Sequence, residues 1–109
     1  MIHADPGYPI AIADGCTVGH RAMLHGCRIG ENCLIGMGAI VMNGAVIAKN
    51  SIVGAGALIT ERKTFPEGSL IVGNPARAIR KLSNEEMAGN RAAAIHYLEN
   101  GRRFQTGLI

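Results

Sequence analysis

The sequence predicts an all-β solenoid, a parallel β-helix of hexapeptide repeats followed by one C-terminal α-helix. Aliphatic residues recur every six positions, with a single step of five, at Ile12, Val18, Leu24, Ile29, Ile35, Val41, Ile47, Val53 and Ile59. The chain has 15 glycines without a collagen period, which indicates many tight turns. Only 4% of its residues are aromatic, so small aliphatic side chains must fill the core, as a stack of short coils allows.

Each hexad predicts two residues of strand and then a corner. A small residue stands two places before each later aliphatic, at Cys16, Ala22, Cys27, Cys33, Ala39, Ala45, Ser51 and Ala57. Residues two apart on a strand share a face, so both positions point inward. Gly or Asn often stands at the corner, as at Gly15, Asn32 and Gly38, because these types tolerate a positive φ. The three cysteines therefore belong to the core rather than to a disulfide or a zinc–thiolate site.

The residues just before the aliphatics form outward apolar columns on more than one side of the coil. Their members are Leu34, Ile40, Val46, Ile52 and Leu58. Apolar columns of this length are too large for the surface of a monomer, so the C-terminal helix, another chain, or both must cover them. The sequence therefore predicts an oligomer.

We place the solenoid at residues 1–82 and the helix at 83–104. After Ile59 the repeat fades through a polar loop over 60–68, returns briefly at Ser69, and ends at Gly73 and Pro75. Ser83 and Glu86 form a capping box. Apolar residues then follow at helical spacing, which predicts an amphipathic helix packed on the solenoid. Its expected apolar stripe consists of Met87, Ala94, Ile95 and Leu98.

Composition argues against two classes of partner. The net charge is +3, but the basic residues have no interleaved aromatic platform and no nucleic-acid reader motif. No apolar stretch reaches transmembrane length, and the N-terminus lacks the pattern of a signal peptide. We expect a cytoplasmic protein with neither a nucleic-acid nor a membrane partner.

Two histidines interrupt the repeat between Val18 and Ile29. Neither His20 nor His25 occupies the inward aliphatic position, so both can face outward. Five extended residues would separate them by about 16 Å, whereas zinc–nitrogen bonds are about 2.0–2.1 Å long. One chain should not place both on one metal, but two adjacent chains could.

His3 is the candidate for the third ligand. It precedes His25 by 22 residues, one coil of 18 plus four, and the segment Ala4–Pro9 can absorb the excess as a loop. The two histidines could then stack on adjacent coils about 4.8 Å apart. Three neutral imidazoles and an open position suit a catalytic zinc. The alternative is three surface or interface histidines without a metal.

Five segments of the chain closely resemble the γ-class carbonic anhydrase-like family, which includes ferripyochelin-binding-protein-like hexapeptide proteins. They are Met1–Gly7, Val18–Cys27, Leu34–Val41, Val53–Leu58 and Val72–Arg77. The resemblance implies a left-handed β-helix, a homotrimer, and zinc or another divalent metal such as iron or cobalt between protomers. His3 and His25 would come from one chain and His20 from the next. The implied reaction, that of a lyase, is the reversible hydration of carbon dioxide to bicarbonate by metal-bound hydroxide.

One departure from the family bears on activity. Family members carry further coils upstream of the first ligand histidine, with an Arg-Gly-Asp-like and an Asn-x-Gln-like segment that shape the pocket. This sequence begins two residues before His3 and has neither, which predicts an N-terminally truncated member whose turnover is an open question. Asp5 and Tyr97 are weak candidates for replacing the missing groups. A hexapeptide-repeat acyltransferase and a non-enzymatic trimeric scaffold are the alternative functions.

Overall fold

The structure is a computed structural model that describes residues 2–4 and 6–107, and for His3 and residues 96–107 it describes the backbone alone. Asp5 lies outside the described residues, and so does the side chain of Tyr97. Neither of these two sequence-based candidates for the pocket is therefore placed by the structure.

The chain winds into a left-handed parallel β-helix with three flat faces, as the hexad pattern and the family resemblance predict. Face 1 holds β1 (Ile2–His3), β4 (Met23–His25), β7 (Ile40–Val41) and β10 (Leu58–Ile59). Face 2 holds β2 (Ala11–Ile12), β5 (Arg28–Ile29), β8 (Val46–Ile47) and β11 (Thr64–Phe65). Face 3 holds β3 (Thr17–Val18), β6 (Leu34–Ile35), β9 (Ile52–Val53) and β12 (Ser69–Gly73). A final strand, β13 (Ala76–Lys81), pairs antiparallel with β12.

From Ala22 onward the aliphatic positions and the small positions together form the core, which confirms the inward assignment there. On the first coil Val18 is half-buried and Ile12 is 37% exposed. Leu24, Ile35, Ile47 and Ile59 are completely buried, and the small residues between them are buried as well. Cys27 and Cys33 are buried and Cys16 is half-buried; all three are free thiols, as expected of core cysteines. The outward columns lie on all three faces and are half-buried.

Coil length changes at the corner where the repeat takes its step of five. Strands β2 and β5 pair Ala11 with Arg28, a spacing of 17 residues, whereas β5 and β8 pair Arg28 with Val46, a spacing of 18. The missing residue is at Gly26–Cys27, between β4 and β5. The preceding turn of the chain carries the extra residues in the segment between β1 and β2, as the sequence predicts.

The solenoid extends further without interruption than the sequence predicted. Residues 60–68 were expected to form a polar loop, but Thr64 and Phe65 form β11 in register with Val46 and Ile47. Phe65 packs against the core, and Ile71, six residues on, is fully buried. The repeat was missed because Phe65 is aromatic and its neighbours are polar, although its spacing from Ile59 is regular.

The C-terminal helix, α1 (Asn84–Gly107), begins at the predicted capping box. The Glu86 backbone N–H donates to Ser83 Oγ at 3.1 Å, and the Ser83 N–H donates to Glu86 Oε1 at 2.9 Å. The predicted apolar stripe is wrong at Ile95, which is 54% exposed, and the side chain of Leu98 lies outside those that the structure describes. Asn90 instead contributes a polar group to the packed face and is 1% exposed.

Candidate metal centre

His3 and His25 are register partners on adjacent strands of face 1. Strands β1 and β4 are parallel, with Ile2 opposite Leu24 and His3 opposite His25. Neighbouring strands of a sheet lie about 4.8 Å apart, and residues in register project to the same side. Leu24 is fully buried and His25 is half-buried, which is the alternation expected of an inward and an outward position. The pairing predicted for these two histidines is present in the backbone.

His20 lies at the opposite edge of the same face. It follows β3 at the corner between faces 3 and 1, where its carbonyl accepts a hydrogen bond from the Gly38 N–H at 2.9 Å, and its side chain is exposed. The next residue, Arg21, has φ 60°, so the chain turns sharply there before entering β4. His25 ends β4 at the other corner. One strand therefore separates His20 from His25, in keeping with the distance argument from the sequence.

The described side chains of one chain do not by themselves form a metal site. Among the side chains described, no three His, Cys, Asp or Glu residues lie close enough to hold a metal. The side chain of His3 is not among them. The strand positions place His3 and His25 on one edge of face 1 and His20 on the opposite edge. Imidazole nitrogens are common zinc ligands.

The segment after His3 packs across the corner after His25. The backbone and Cβ of Tyr8 lie so close to Gly26 that any side chain at position 26 would collide with them. Arg62 Nη1 donates a hydrogen bond to Tyr8 Oη at 3.3 Å. A surface pocket of about 180 Å³ adjoins this corner, lined in part by Tyr8, Gly26 and Arg28. Sequence reasoning did not single out Tyr8, although the five-residue step at Gly26 marks where it lies.

The cysteines form a second chemical feature, on the edge of face 3. Thr17 pairs with Leu34, so the preceding residues Cys16 and Cys33 are adjacent on neighbouring coils. A hydrogen bond with the Cys33 thiol lowers the pKa of Cys16 to about 7. The pKa of Cys33 is raised, first by its hydrogen bond with Cys16 and then by burial. Burial raises the pKa of Cys27 to about 11.

The described part of the chain contains no helix that is long and apolar enough to cross a membrane. One of the basic residues, Arg80, forms a two-pronged ion pair with Glu86 at 2.7 and 2.9 Å. This arginine stabilises the start of α1.

Two hexapeptide sequence models match the chain. The family described as "Bacterial transferase hexapeptide (six repeats)" matches residues 26–61, and "Hexapeptide repeat of succinyl-transferase" matches residues 9–39. Both matches fall within the solenoid, where the hexads are most regular.

Known proteins resemble nearly the whole chain. Protein YrdA of Escherichia coli is 53% identical over 93 residues, which cover 85% of this chain and 50% of that protein. Gamma carbonic anhydrase 1, mitochondrial, of Arabidopsis thaliana is 43% identical over 90 residues, which cover 83% of this chain and 33% of that protein. A hexapeptide transferase family protein from Anaplasma phagocytophilum superposes with a TM-score of 0.88 at 34% identity, covering 94% of this chain and 60% of that chain.

The chain spans about half the length of the first of these curated relatives. The match includes relatives named as γ-carbonic anhydrases as well as proteins named as transferases. The solenoid, the hexads and these identities together show that the chain belongs to the γ-carbonic anhydrase-like group of hexapeptide-repeat proteins.

Proposed function

We propose that this protein is a γ-carbonic anhydrase-like metalloprotein whose site lies between protomers of a homotrimer. In this proposal His3 and His25 of one protomer and His20 of the next bind a zinc-type divalent metal. The observation that carries the proposal is the register of β1 and β4, which sets His3 beside His25 on one edge of face 1. The exposed His20 on the other edge is available to a neighbouring chain.

The proposed reaction is the reversible hydration of carbon dioxide. A divalent metal held by three imidazoles supplies Lewis acidity and lowers the pKa of a water molecule toward 7. The histidines would hold the ion, while the half-buried setting of His25 would limit the access of bulk water on one side. The relatives named as carbonic anhydrases support this reaction over others that a hexapeptide solenoid can host.

A subunit-mixing experiment tests the shared site. His20→Ala and His25→Ala chains, each expected to lose the metal, are unfolded together and refolded as mixed trimers. In a cyclic trimer each mixed assembly has one boundary with His3 and His25 on one side and His20 on the other. We expect roughly one metal per mixed trimer by mass spectrometry, with hydration activity measured by stopped flow.

Two results would contradict the proposal. Metal retained at full stoichiometry in either single variant would show that the histidine is not a ligand. Mixed trimers without any metal would exclude a site shared in this way. His96→Ala is the control, since His96 is a fourth histidine outside the proposed set, and we expect it to bind metal as the unaltered protein does.

Metal binding without hydration would favour the non-enzymatic scaffold. The chain spans only part of its relatives, so groups that orient substrate in those proteins need not be present here. If the trimer binds one metal per boundary but hydrates carbon dioxide no faster than the uncatalysed rate, the proposed metal site is supported and the proposed reaction is contradicted.

The acyltransferase alternative draws on the structural comparison. The Anaplasma phagocytophilum structure carries the transferase family name. An acyltransferase would bind coenzyme A in a groove between protomers. Titration calorimetry with acetyl-coenzyme A tests this alternative directly, and we expect no heat of binding. Saturable binding that persists in His25→Ala would favour acyl transfer over the proposed metal chemistry.

A further inference from the structure

We propose that Tyr8 and Arg62 are positioning residues, which clasp the segment after His3 against the corner after His25. The inference rests on the proposed function, because the residues being positioned, His3 and His25, are metal ligands only in that proposal. The clasp itself rests on contacts between side chains and backbone that the structure describes.

The corner is built to admit Tyr8. At Gly26, an added Cβ would lie 2.7 Å from the Tyr8 carbonyl carbon and closer still to two other Tyr8 atoms. At Gly44, one coil further on, an added Cβ would lie 3.4 Å from the Tyr8 ring and 2.8 Å from the Arg62 side chain. Gly26 therefore lacks a side chain where Tyr8 crosses it, since real Cβ contacts under 3.0 Å essentially do not occur. Gly44, whose φ of 76° itself favours glycine, leaves the space that the Arg62 side chain occupies.

Arg62 completes the clasp from the corner after β10, three coils beyond β1. Its backbone N–H donates to the Asn43 carbonyl at 2.9 Å, and its φ of 59° turns the chain at this corner. Its guanidinium then reaches back over Gly44 to donate to Tyr8 Oη at 3.3 Å. The hydrogen bond joins residues 54 positions apart in sequence and spans four consecutive coils along one corner.

The location of the clasp gives it a role at the site. His25 directly precedes Gly26, and Tyr8 follows His3 by five residues. The strand ladder fixes the spacing between the two histidine backbones. The ladder ends at His3, so the direction in which the chain leaves that residue depends on where the next segment is anchored. Tyr8 supplies that anchor, and groups that orient metal ligands commonly change metal affinity tenfold to a hundredfold when removed.

The test compares Tyr8→Phe, Arg62→Met and the double variant. Tyr8→Phe keeps the ring over the glycines but removes the hydroxyl, and Arg62→Met keeps the length but removes the donor. Amide hydrogen exchange over residues 2–12 is measured in metal-free protein, and Co²⁺ affinity is measured by competition with a chromophoric chelator. Arg77→Met is the matched control, because Arg77 is exposed on β13, outside the solenoid corners.

We expect faster exchange confined to residues 2–12 and Co²⁺ binding weakened roughly tenfold in each single variant. The double variant should be no worse than the worse single variant, because both substitutions remove the same hydrogen bond. Arg62→Lys, which keeps a donor, should recover part of the affinity. The Co²⁺ absorption spectrum should change in Arg62→Met and stay unchanged in the control, Arg77→Met.

Unchanged exchange over residues 2–12 in both single variants would overturn the clasp. Faster exchange with unchanged Co²⁺ affinity would overturn the positioning role of Tyr8 and Arg62. Faster exchange across the whole solenoid would also overturn it, because the two residues would then contribute only to global stability. If the unaltered protein binds no Co²⁺, the proposed function fails on its own account. The exchange measurement then still decides whether Tyr8 and Arg62 hold the segment.

Discussion

The side-chain amide of Asn90 in α1 donates hydrogen bonds to the backbone carbonyls of Asn32 and Ser51, at 3.1 and 3.3 Å. A further hydrogen bond runs from solenoid to helix: Asn32 Nδ2 donates to the Met87 carbonyl at 3.0 Å. These bonds fasten the helix to corners of two successive coils through backbone groups. The junction between helix and solenoid is therefore polar at its centre, with Ala94 and Met87 beside it.

Asn90→Leu should destabilise the protein by about 1–3 kcal/mol, because it removes the donor to the Asn32 carbonyl at a buried contact. The Ser51 carbonyl would still accept from the Leu34 N–H at 3.0 Å. Urea unfolding measures the change. Arg91→Ala, at an exposed neighbouring position, should stay within about 0.5 kcal/mol of the unaltered protein. A Leu variant as stable as the control would show that apolar packing can replace the amide.

Ile47→Ala should cost about 2–5 kcal/mol in the free energy of unfolding, because Ile47 is fully buried between coils and its removal leaves a cavity. Val46→Ala is the matched comparison on the same strand, pointing outward and half-buried. In a monomeric preparation we expect a clearly smaller loss there. Equal losses in the two variants would contradict the inward and outward assignment of the hexad.

Glu86 should make stability depend on pH in acid. Its ion pair with Arg80 and the hydrogen bond from the Ser83 N–H lower its pKa to about 2. A depressed carboxyl pKa stabilises the folded state above the unfolded-state value of about 4.3, and this contribution is lost as pH falls toward about 2. Urea midpoints between pH 2 and 6 should show a steeper fall in the unaltered protein than in Glu86→Gln. Glu85→Gln, one residue away, should retain the steep dependence.

Cys16 should be the first thiol to react with iodoacetamide. Its pKa of about 7 leaves a large thiolate fraction near neutral pH, and it is half-buried, whereas Cys27 has a pKa raised to about 11. Mass spectrometry of digests made between pH 6 and 9 should show half-maximal labelling of Cys16 near pH 7. Cys33→Ala should move this midpoint to higher pH, because it removes the side-chain donor that is the largest cause of the shift. An unchanged midpoint would contradict that cause.

The repeating part of the fold could be predicted because its physics is local. A corner residue with positive φ, a small inward residue and an aliphatic inward residue recur in fixed order, so each hexad specifies its own geometry. Phe65 was missed because it has the spacing of the repeat without its residue type. Ile95 was assigned to the buried face because apolar spacing alone does not show where the helix meets the solenoid. Asn90 takes part in that contact by hydrogen bonding to backbone carbonyls of the solenoid, and the pattern of residue types does not show which carbonyls are accessible.

The candidate site divides in the same way. The partnership of His3 with His25 could be predicted from coil length, and the separation of His20 from His25 from strand length. The contact of Tyr8 with Gly26 and Arg62 could not, because it joins three coils through a loop of irregular conformation. The five-residue step was visible in the sequence, but the tertiary contact of Tyr8 at that corner was not.

The hydrogen-bonded ladder between β1 and β4 sets the distance between the backbones of two proposed metal ligands. The gap between the backbones of His3 and His25 is the repeat distance of the solenoid, and the number of residues that connect them does not enter it. Insertions or deletions in the connecting segment could therefore change the surroundings of the pair without changing the separation. Changes of sequence in the connecting segment can therefore place different side chains beside the two histidines while the backbone positions of His3 and His25 stay the same.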